Sequence, residues 1–201
     1  MRSVLLAAAR RCRICKRFAR NEDGLALIEF AFVLPLMVLL YVGSVAVTMG
    51  VTTDRKLTLL ARSLGDIVSQ GTNMTPTSMT QVFDAGRVVM SPYNASATVL
   101  KMRLSSVRIK TNGQACIDWT SSGTSGYSRT AGSNVTSLIP IDLRIPDTYL
   151  IVPEVEYIYN PVIGTDITGG PLTLHDVLFF RPRQGTSVTF NSAPLNPTCA
   201  G

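Results

Sequence analysis

The longest hydrophobic pattern in the chain is an unbroken apolar run over residues 25–51. Its sequence is LALIEFAFVLPLMVLLYVGSVAVTMGV, in which Glu29 is the single acidic or basic residue. A helix of about 20 apolar residues spans the core of a bilayer, so this run predicts one transmembrane helix with length to spare. Pro35 removes the hydrogen bond to the carbonyl of Ala31, which predicts a kink of a kind that membrane helices tolerate.

After this run the pattern becomes amphipathic and predicts that the helix continues over residues 52–70. Apolar residues recur at helical spacing along one face, and charged residues fall on the other face or at the membrane edge. A break at 71–77 precedes a second helix over about 77–90. The two apolar stripes consist of Leu57, Leu60, Leu64, Ile67 and Val68 in the first helix, and Met79, Val82, Phe83 and Met90 in the second.

Beyond Pro92 the periodicity changes to two, which is typical of half-buried strands. Leu100, Met102 and Leu104 alternate with polar residues, and Asn112-Gly113 is a strong hairpin signal. Strands are predicted at 100–110, 115–120, 149–159 and 172–180, with loops at 121–137 and 161–171. The pattern therefore predicts an α+β protein, in which a long N-terminal transmembrane helix continues into a head, residues 71–201, with an antiparallel β-sheet.

Charge is concentrated before the apolar run. The leader, residues 1–24, carries seven basic and two acidic side chains, whereas residues 25–201 carry twelve basic and eleven acidic ones. The head therefore lacks the basic face that nucleic-acid binding requires. A basic cluster before a membrane helix marks the cytoplasmic side, so the head is predicted to be periplasmic in a bacterium. An ordinary signal peptide is disfavoured because its apolar region is about half as long, but an uncleaved anchor stays open.

Glu29 is the residue that bears on whether the anchor is cleaved. A carboxylate in an apolar membrane helix costs about 2.5–3.5 kcal/mol on insertion scales, and such groups usually have a function. If the bond between Gly24 and Leu25 were cut, the new α-amine at Leu25 would lie four residues before Glu29, on the same helix face. The amine and carboxylate would then pair within one subunit or between neighbours. Alternatively, Glu29 lies near the headgroups and is solvated there.

The same residues carry a family resemblance. A basic leader followed by Gly24 and LALIEF looks like a prepilin-peptidase site, with Gly before the cut and Glu fifth after it. Residues 17–43 more narrowly resemble the TadE-like minor pilins of tight-adherence (Flp) pili. In that family an acidic pair, a Gly, a Glu-Phe dipeptide and an LPL run recur; here they are Glu22-Asp23, Gly24, Glu29-Phe30 and Leu34-Pro35-Leu36. The segments at 153–164 and 172–183, which end in Arg181-Pro182-Arg183, resemble the paired strands near the end of TadE-like proteins.

The resemblance implies a pilin-like head and cleavage after Gly24 by a membrane prepilin peptidase. It also implies an inner-membrane protein whose helix, through Glu29 and Phe30, packs with other pilin or pseudopilin subunits, with membrane lipid and with the pilus assembly machinery. Whether the subunit enters a surface pilus stays open. Two alternatives remain: a pseudopilin like those of type II secretion, and an unprocessed single-pass anchor with a periplasmic binding module.

The four cysteines divide evenly between the two predicted compartments. Cys116 and Cys199 lie on the periplasmic side, where disulfides persist, so a bridge between them is favoured over two unpaired thiols. Cys12 and Cys15 form a CxxC pair in the leader, without the two further ligands that a zinc site would need.

Residues that suit catalysis or metal binding do not cluster in the sequence. The sole histidine, His175, precedes Asp176 in a predicted strand, which places the two side chains on opposite faces. Glu154 and Glu156 share one strand face but fit an ordinary half-buried strand. A P-loop, a dinucleotide-binding turn and a set of metal ligands are all missing from the sequence. The sequence therefore favours a structural or assembly protein, with no enzymatic activity, cofactor, metal or nucleic-acid partner.

Overall fold

The computed structural model describes residues 23–161 and 170–192, with side chains from residue 26 onward. The leader up to residue 22 with Cys12 and Cys15, most of the loop predicted at 161–171, and Cys199 lie outside the described residues. The chain divides into two compact units between Val47 and Thr48. We refer to residues 26–47 as the apolar segment. From here on the head means the described residues from Thr48 onward, a wider range than the predicted head at 71–201.

The described chain contains two helices and six strands. Helix α1 comprises Asp23–Ser69 and helix α2 comprises Pro76–Val89, which confirms both predicted helices. Two 3-10 turns, Thr136–Leu138 and Ile141–Leu143, separate the third strand from the fourth. The strands are β1 Asn73–Met74, β2 Leu100–Ile109, β3 Ala115–Ser122, β4 Tyr149–Tyr159, β5 Leu172–Val177 and β6 Thr189–Phe190.

Local sequence signals account for the start of α2 and for the first hairpin. The Thr75 hydroxyl accepts a hydrogen bond from the Ser78 amide at 3.1 Å, and the Ser78 hydroxyl accepts one from the Thr75 amide at 2.9 Å. This capping box satisfies two amides that a helix N-terminus leaves unpaired. Gly113 takes φ +80° in the turn between β2 and β3, a conformation that costs glycine little. The predicted turn at Asn112-Gly113 is thus confirmed.

The main sheet has four antiparallel strands in the order β3-β2-β4-β5. On one face, Met102 of β2 pairs with Val155 of β4, and both side chains are buried. The second half of α1 and helix α2 cover this face. The α+β class with an antiparallel sheet is therefore confirmed.

The helix-covered core follows the predicted stripes with one exception. Leu57, Leu60, Leu64 and Val68 are fully buried, but Ile67 is 45% exposed, so its place in the stripe was predicted wrongly. At about 100° per residue, Ile67 lies about 65° from the mean direction of these four side chains, at the edge of the stripe. Gly86 of α2 lets the two helices approach closely, because a Cβ there would lie 2.9 Å from Leu60 Cδ1.

The opposite face of the sheet is divided into an apolar half and a charged half. The apolar half is a second buried cluster, which the residues between β3 and β4 help to cover through Val135 and Ile139. Its sheet residues are Val107, Ile109, Ala115, Ile117, Leu150 and Val152. The charged half begins at the adjacent residues Arg103 and Glu154, which pair in the β2–β4 register.

Strand β5 ends at Val177, earlier than the predicted 180, and Pro153 explains the difference. The Leu178 amide donates to the Pro153 carbonyl at 3.2 Å, but proline has no N–H with which to return the bond. Pairing resumes once, at the isolated bridge between Ile151 and Phe180. The chain keeps its antiparallel register across this gap.

A short parallel pair between β1 and β6 was not predicted, because two-residue strands leave no periodic pattern. This pair brings Asn73 beside Thr189 and Met74 beside Phe190. The indole of Trp119 donates to the Val188 carbonyl at 2.6 Å and stacks on Phe190, with 5.4 Å between ring centroids. The last described residues are thereby held on the core of the head.

Candidate membrane and assembly site

The apolar segment leaves most of its side chains exposed. Among the described residues, none of 26–47 is buried, and Phe32 and Leu39 are 79% and 68% exposed. Of the part of the chain that the structure describes, the helix Ala26–Ser69 is the one element long and apolar enough to cross a membrane. The exposed apolar surface is far larger than a soluble monomer usually carries, and such patches mark binding to a membrane or to another protein.

The predicted processing and pairing residues lie at the start of this helix. Gly24 and Leu25 are in the first turn of α1, and Leu25 and Glu29 are four residues apart within the same helix. Glu29 is exposed, as is Phe30 at 60%. Within residues 23–161 and 170–192, no basic side chain forms an ion pair with Glu29.

Pro35 lies inside α1, and the helix continues through it on both sides. The residue removes one backbone donor from the helix, as its chemistry requires. The kink that the sequence predicts stays a prediction.

The head contains a charged cluster around a buried carboxylate. We call it the Glu154 cluster, and it comprises Glu154, Arg103, Arg129 and Tyr127. Glu154 is 1% exposed, and its carboxylate accepts a pair of hydrogen bonds from each of two arginines. Arg129 donates to its two oxygens at 2.9 and 2.8 Å, and Arg103 donates to the same two oxygens, one of them at 3.1 Å. The Arg103 guanidinium also lies over the Tyr127 ring, 4.4 Å from its centroid.

The surroundings of Glu154 act on its pKa in opposite directions. Burial raises the pKa, but hydrogen bonds from Arg129 and Arg103 outweigh burial and leave the pKa below its ordinary value. Burial raises the pKa of the neighbouring Tyr127. The cluster therefore holds an ionised carboxylate inside the head, and Arg129 links the long segment after β3 to strand β4.

The sequence places Glu154 and Glu156 on one strand face, and the structure agrees, but the burial of Glu154 was missed. One signal for it exists in the sequence. Lys101 and Arg103 on β2 have the same two-residue spacing as Glu154 and Glu156 on β4, so an antiparallel register pairs each base with an acid. Lys101 accordingly bonds Glu156 at 2.6 Å. Arg129 comes from a loop and leaves no such pattern.

The remaining candidates for chemistry lie apart from one another. In the β4–β5 register His175 pairs with Glu156 and Asp176 with Val155, so the two side chains are on opposite faces of the sheet, as predicted. His175 is exposed. Among the described residues, no group of three or more His, Cys, Asp or Glu side chains is placed to hold a metal ion.

Cys116 is disulfide-bonded. Cys199, the partner that the sequence favours, lies outside the described residues, so this pairing stays a prediction.

Comparisons with known proteins returned no match. No family model, no curated protein and no solved structure matches the chain.

Proposed function

We propose that this protein is a minor pilin of the TadE-like kind, which acts as a structural and assembly subunit in a bacterial inner membrane. One observation carries the proposal: the apolar segment is helical, leaves most of its side chains exposed and contains one charged residue, Glu29. Such a helix is expected to be covered by a membrane or by other subunits. Membrane lipid covers it in the anchored protein, and the helices of neighbouring subunits cover it in an assembly.

Cleavage after Gly24 gives Glu29 a partner. The cut leaves an α-amine at the first residue of the helix, where the helix dipole is already positive and disfavours another positive charge. A carboxylate one turn away offsets that charge, either in the same subunit or in the next one of a stack. The unprocessed anchor has a different consequence, because it has no such amine and its Glu29 is solvated near the headgroups.

The proposal is tested first by the N-terminus of the protein in cells that express a prepilin peptidase. Mass spectrometry of the membrane fraction is expected to find Leu25 as the first residue. Gly24→Leu is expected to retain the leader, because the peptidase site resembles those that need a small residue before the cut. An N-terminus at Met1 in the wild type would favour the uncleaved binding module instead.

The role of Glu29 is tested by its isosteric neutral variant. Glu29→Gln is expected to be cleaved normally but to co-purify with much less of a differently tagged second copy or of other pilin subunits. Glu29→Asp keeps the negative charge and is expected to recover most of that association. Normal association by Glu29→Gln would contradict the charge-pairing mechanism while leaving the membrane anchor intact.

A further inference from the structure

The head contains a cavity at the end of β4, beside the first residues of α1 that belong to the head. Its volume is about 330 Å³, at the lower end of the range for small-ligand pockets. Most of the lining surface is apolar, and tyrosine and asparagine side chains add polar groups to it. The lining residues that bear on its chemistry are Met49, Tyr93, Asn94, Tyr157, Tyr159 and Asn160.

Three separate parts of the head hold this lining in place. Tyr157 and Tyr159 come from the helix-covered face of β4 and are 5% and 9% exposed. Tyr93 follows α2, and Lys56 of α1 fixes its loop by donating to the Ser91 carbonyl and lying 5.3 Å from the centroid of the Tyr93 ring. The cavity is therefore built by packed elements.

The position of Met49 in the chain places the cavity close to the end of the apolar segment. Met49 follows Val47 by two residues, and two residues reach at most about 7 Å even when fully extended. The headgroup layer of a bilayer is about 5–7 Å thick on each side of the hydrocarbon core. If the apolar segment spans the membrane, the wall of the cavity at Met49 lies at the depth of the headgroups.

The chemistry of the lining suits that depth. Tyr93 is half-buried and can present its hydroxyl to headgroups, as tyrosines at membrane interfaces do, whereas Tyr157 and Tyr159 belong to the buried core. The amides of Asn94 and Asn160 offer donors for phosphate and ester oxygens. The Lys56 ammonium, 5.3 Å from the centroid of the Tyr93 ring, places a positive charge beside this one lining residue.

We propose that this cavity binds the phosphate and glycerol region of one phospholipid from the leaflet nearest the head. The inference rests on the membrane span proposed above. A bound lipid of this kind would fix the head at a set depth on the membrane before the subunit leaves the bilayer for an assembly.

The test places a tryptophan at the cavity and measures its contact with lipid. The full chain carrying Tyr93→Trp is reconstituted in nanodiscs of phosphatidylethanolamine and phosphatidylglycerol, with part of the lipid brominated near the glycerol end of its acyl chains. Tyr149→Trp is the matched control, since Tyr149 lies at the opposite end of β4, about 30 Å away at ~3.3 Å per residue. The emission of Trp119, present in both variants, is subtracted.

Brominated lipid is expected to remove most of the emission added by Tyr93→Trp and none of that added by Tyr149→Trp. A second measurement uses native mass spectrometry of the detergent-extracted chain, where the wild type and Tyr149→Ala retain one phospholipid and Tyr93→Ala retains none. Equal quenching at the two sites, or an equal lipid content in the three proteins, would overturn the proposal. Alkaline carbonate extraction tests the membrane span separately from the lipid site. If the wild-type chain stays in the membrane but fails the quenching and lipid-retention tests, the lipid site alone is refuted.

Discussion

The apolar segment and the head differ in how their apolar and acidic side chains are covered. In the apolar segment, large side chains such as Leu39 are exposed, and Glu29 has no ion pair among the described residues. In the head, Leu64 is fully buried and Glu154 is paired with two arginines. Both regions contain leucines and a glutamate, so the environment of each side chain, and not its residue type, sets its contribution to stability.

The two regions differ in what covers their apolar side chains. Burial of apolar surface contributes about 25 cal/mol per Å² to folding, and the core residues of the head gain this term from contacts within the described chain. Under the proposed function, the apolar segment gains the same term when lipid or another subunit covers it. Matched substitutions in the two regions can therefore break or sharpen the comparison.

The largest difference is expected between the two glutamates. Glu154→Gln leaves Arg103 buried beside a neutral partner, and breaking a buried ion pair costs about 3–5 kcal/mol of the free energy of unfolding. Glu29→Gln is an exposed change and is expected to alter the unfolding of the head by less than about 0.5 kcal/mol. Urea unfolding in detergent, followed by Trp119 fluorescence, measures both. Equal effects of the two variants would refute the distinction.

The pH dependence of the wild-type head is the control for this prediction. Because the pKa of Glu154 is lower in the folded than in the unfolded chain, its contribution is present above the unfolded pKa of about 4.3 and is lost as pH falls through the folded pKa. The wild-type free energy of unfolding is expected to decrease over that acid range. In Glu154→Gln this part of the decrease should be missing, and its persistence would show that other carboxylates cause it.

The next largest difference is expected from truncating one leucine in each region. Leu64→Ala removes a fully buried side chain from the core between α1, α2 and the sheet, and such changes cost about 2–5 kcal/mol. Leu39→Ala shortens a side chain that is 68% exposed, so the head is expected to keep its urea midpoint. A clear loss of head stability in Leu39→Ala would mean that the chain itself covers the apolar segment.

The smallest effects are expected at two glycines of α1. A Cβ at Gly65 would lie 2.3 Å from the ring of Phe180 and 3.0 Å from Pro153, so Gly65→Ala is expected to lower the stability by about 1–3 kcal/mol. At Gly50 the nearest atom would be Tyr159 Cε1 at 3.9 Å, so Gly50→Ala is expected to gain about 0.5–1 kcal/mol from helix propensity. Thermal unfolding in detergent compares the two, and a stabilising Gly65→Ala would contradict the close packing of α1 on the sheet.

Long regular elements were predictable from the sequence. The stripe of Leu57, Leu60 and Leu64 indicated which face of α1 is buried, and the alternation of apolar and polar residues indicated β2. Features that depend on two distant segments were not. The end of β5 depends on the missing donor of Pro153 in another strand, and the burial of Glu154 depends on Arg129 from a loop. Neither the early end of β5 nor the contact of Arg129 with Glu154 leaves a local signal in the sequence.

The sequence by itself determined the α+β class, the long apolar helix and the positions of Gly24, Glu29 and Pro35 within it, because helix and strand periods and the length of an apolar run are local properties. It also determined the asymmetric charge of the leader. Only the tertiary structure decided that Glu154 is enclosed by two arginines and that Tyr93, Tyr157 and Tyr159 meet at one cavity beside Met49. These residues lie far apart in the chain, and strand register and helix packing alone bring them into contact.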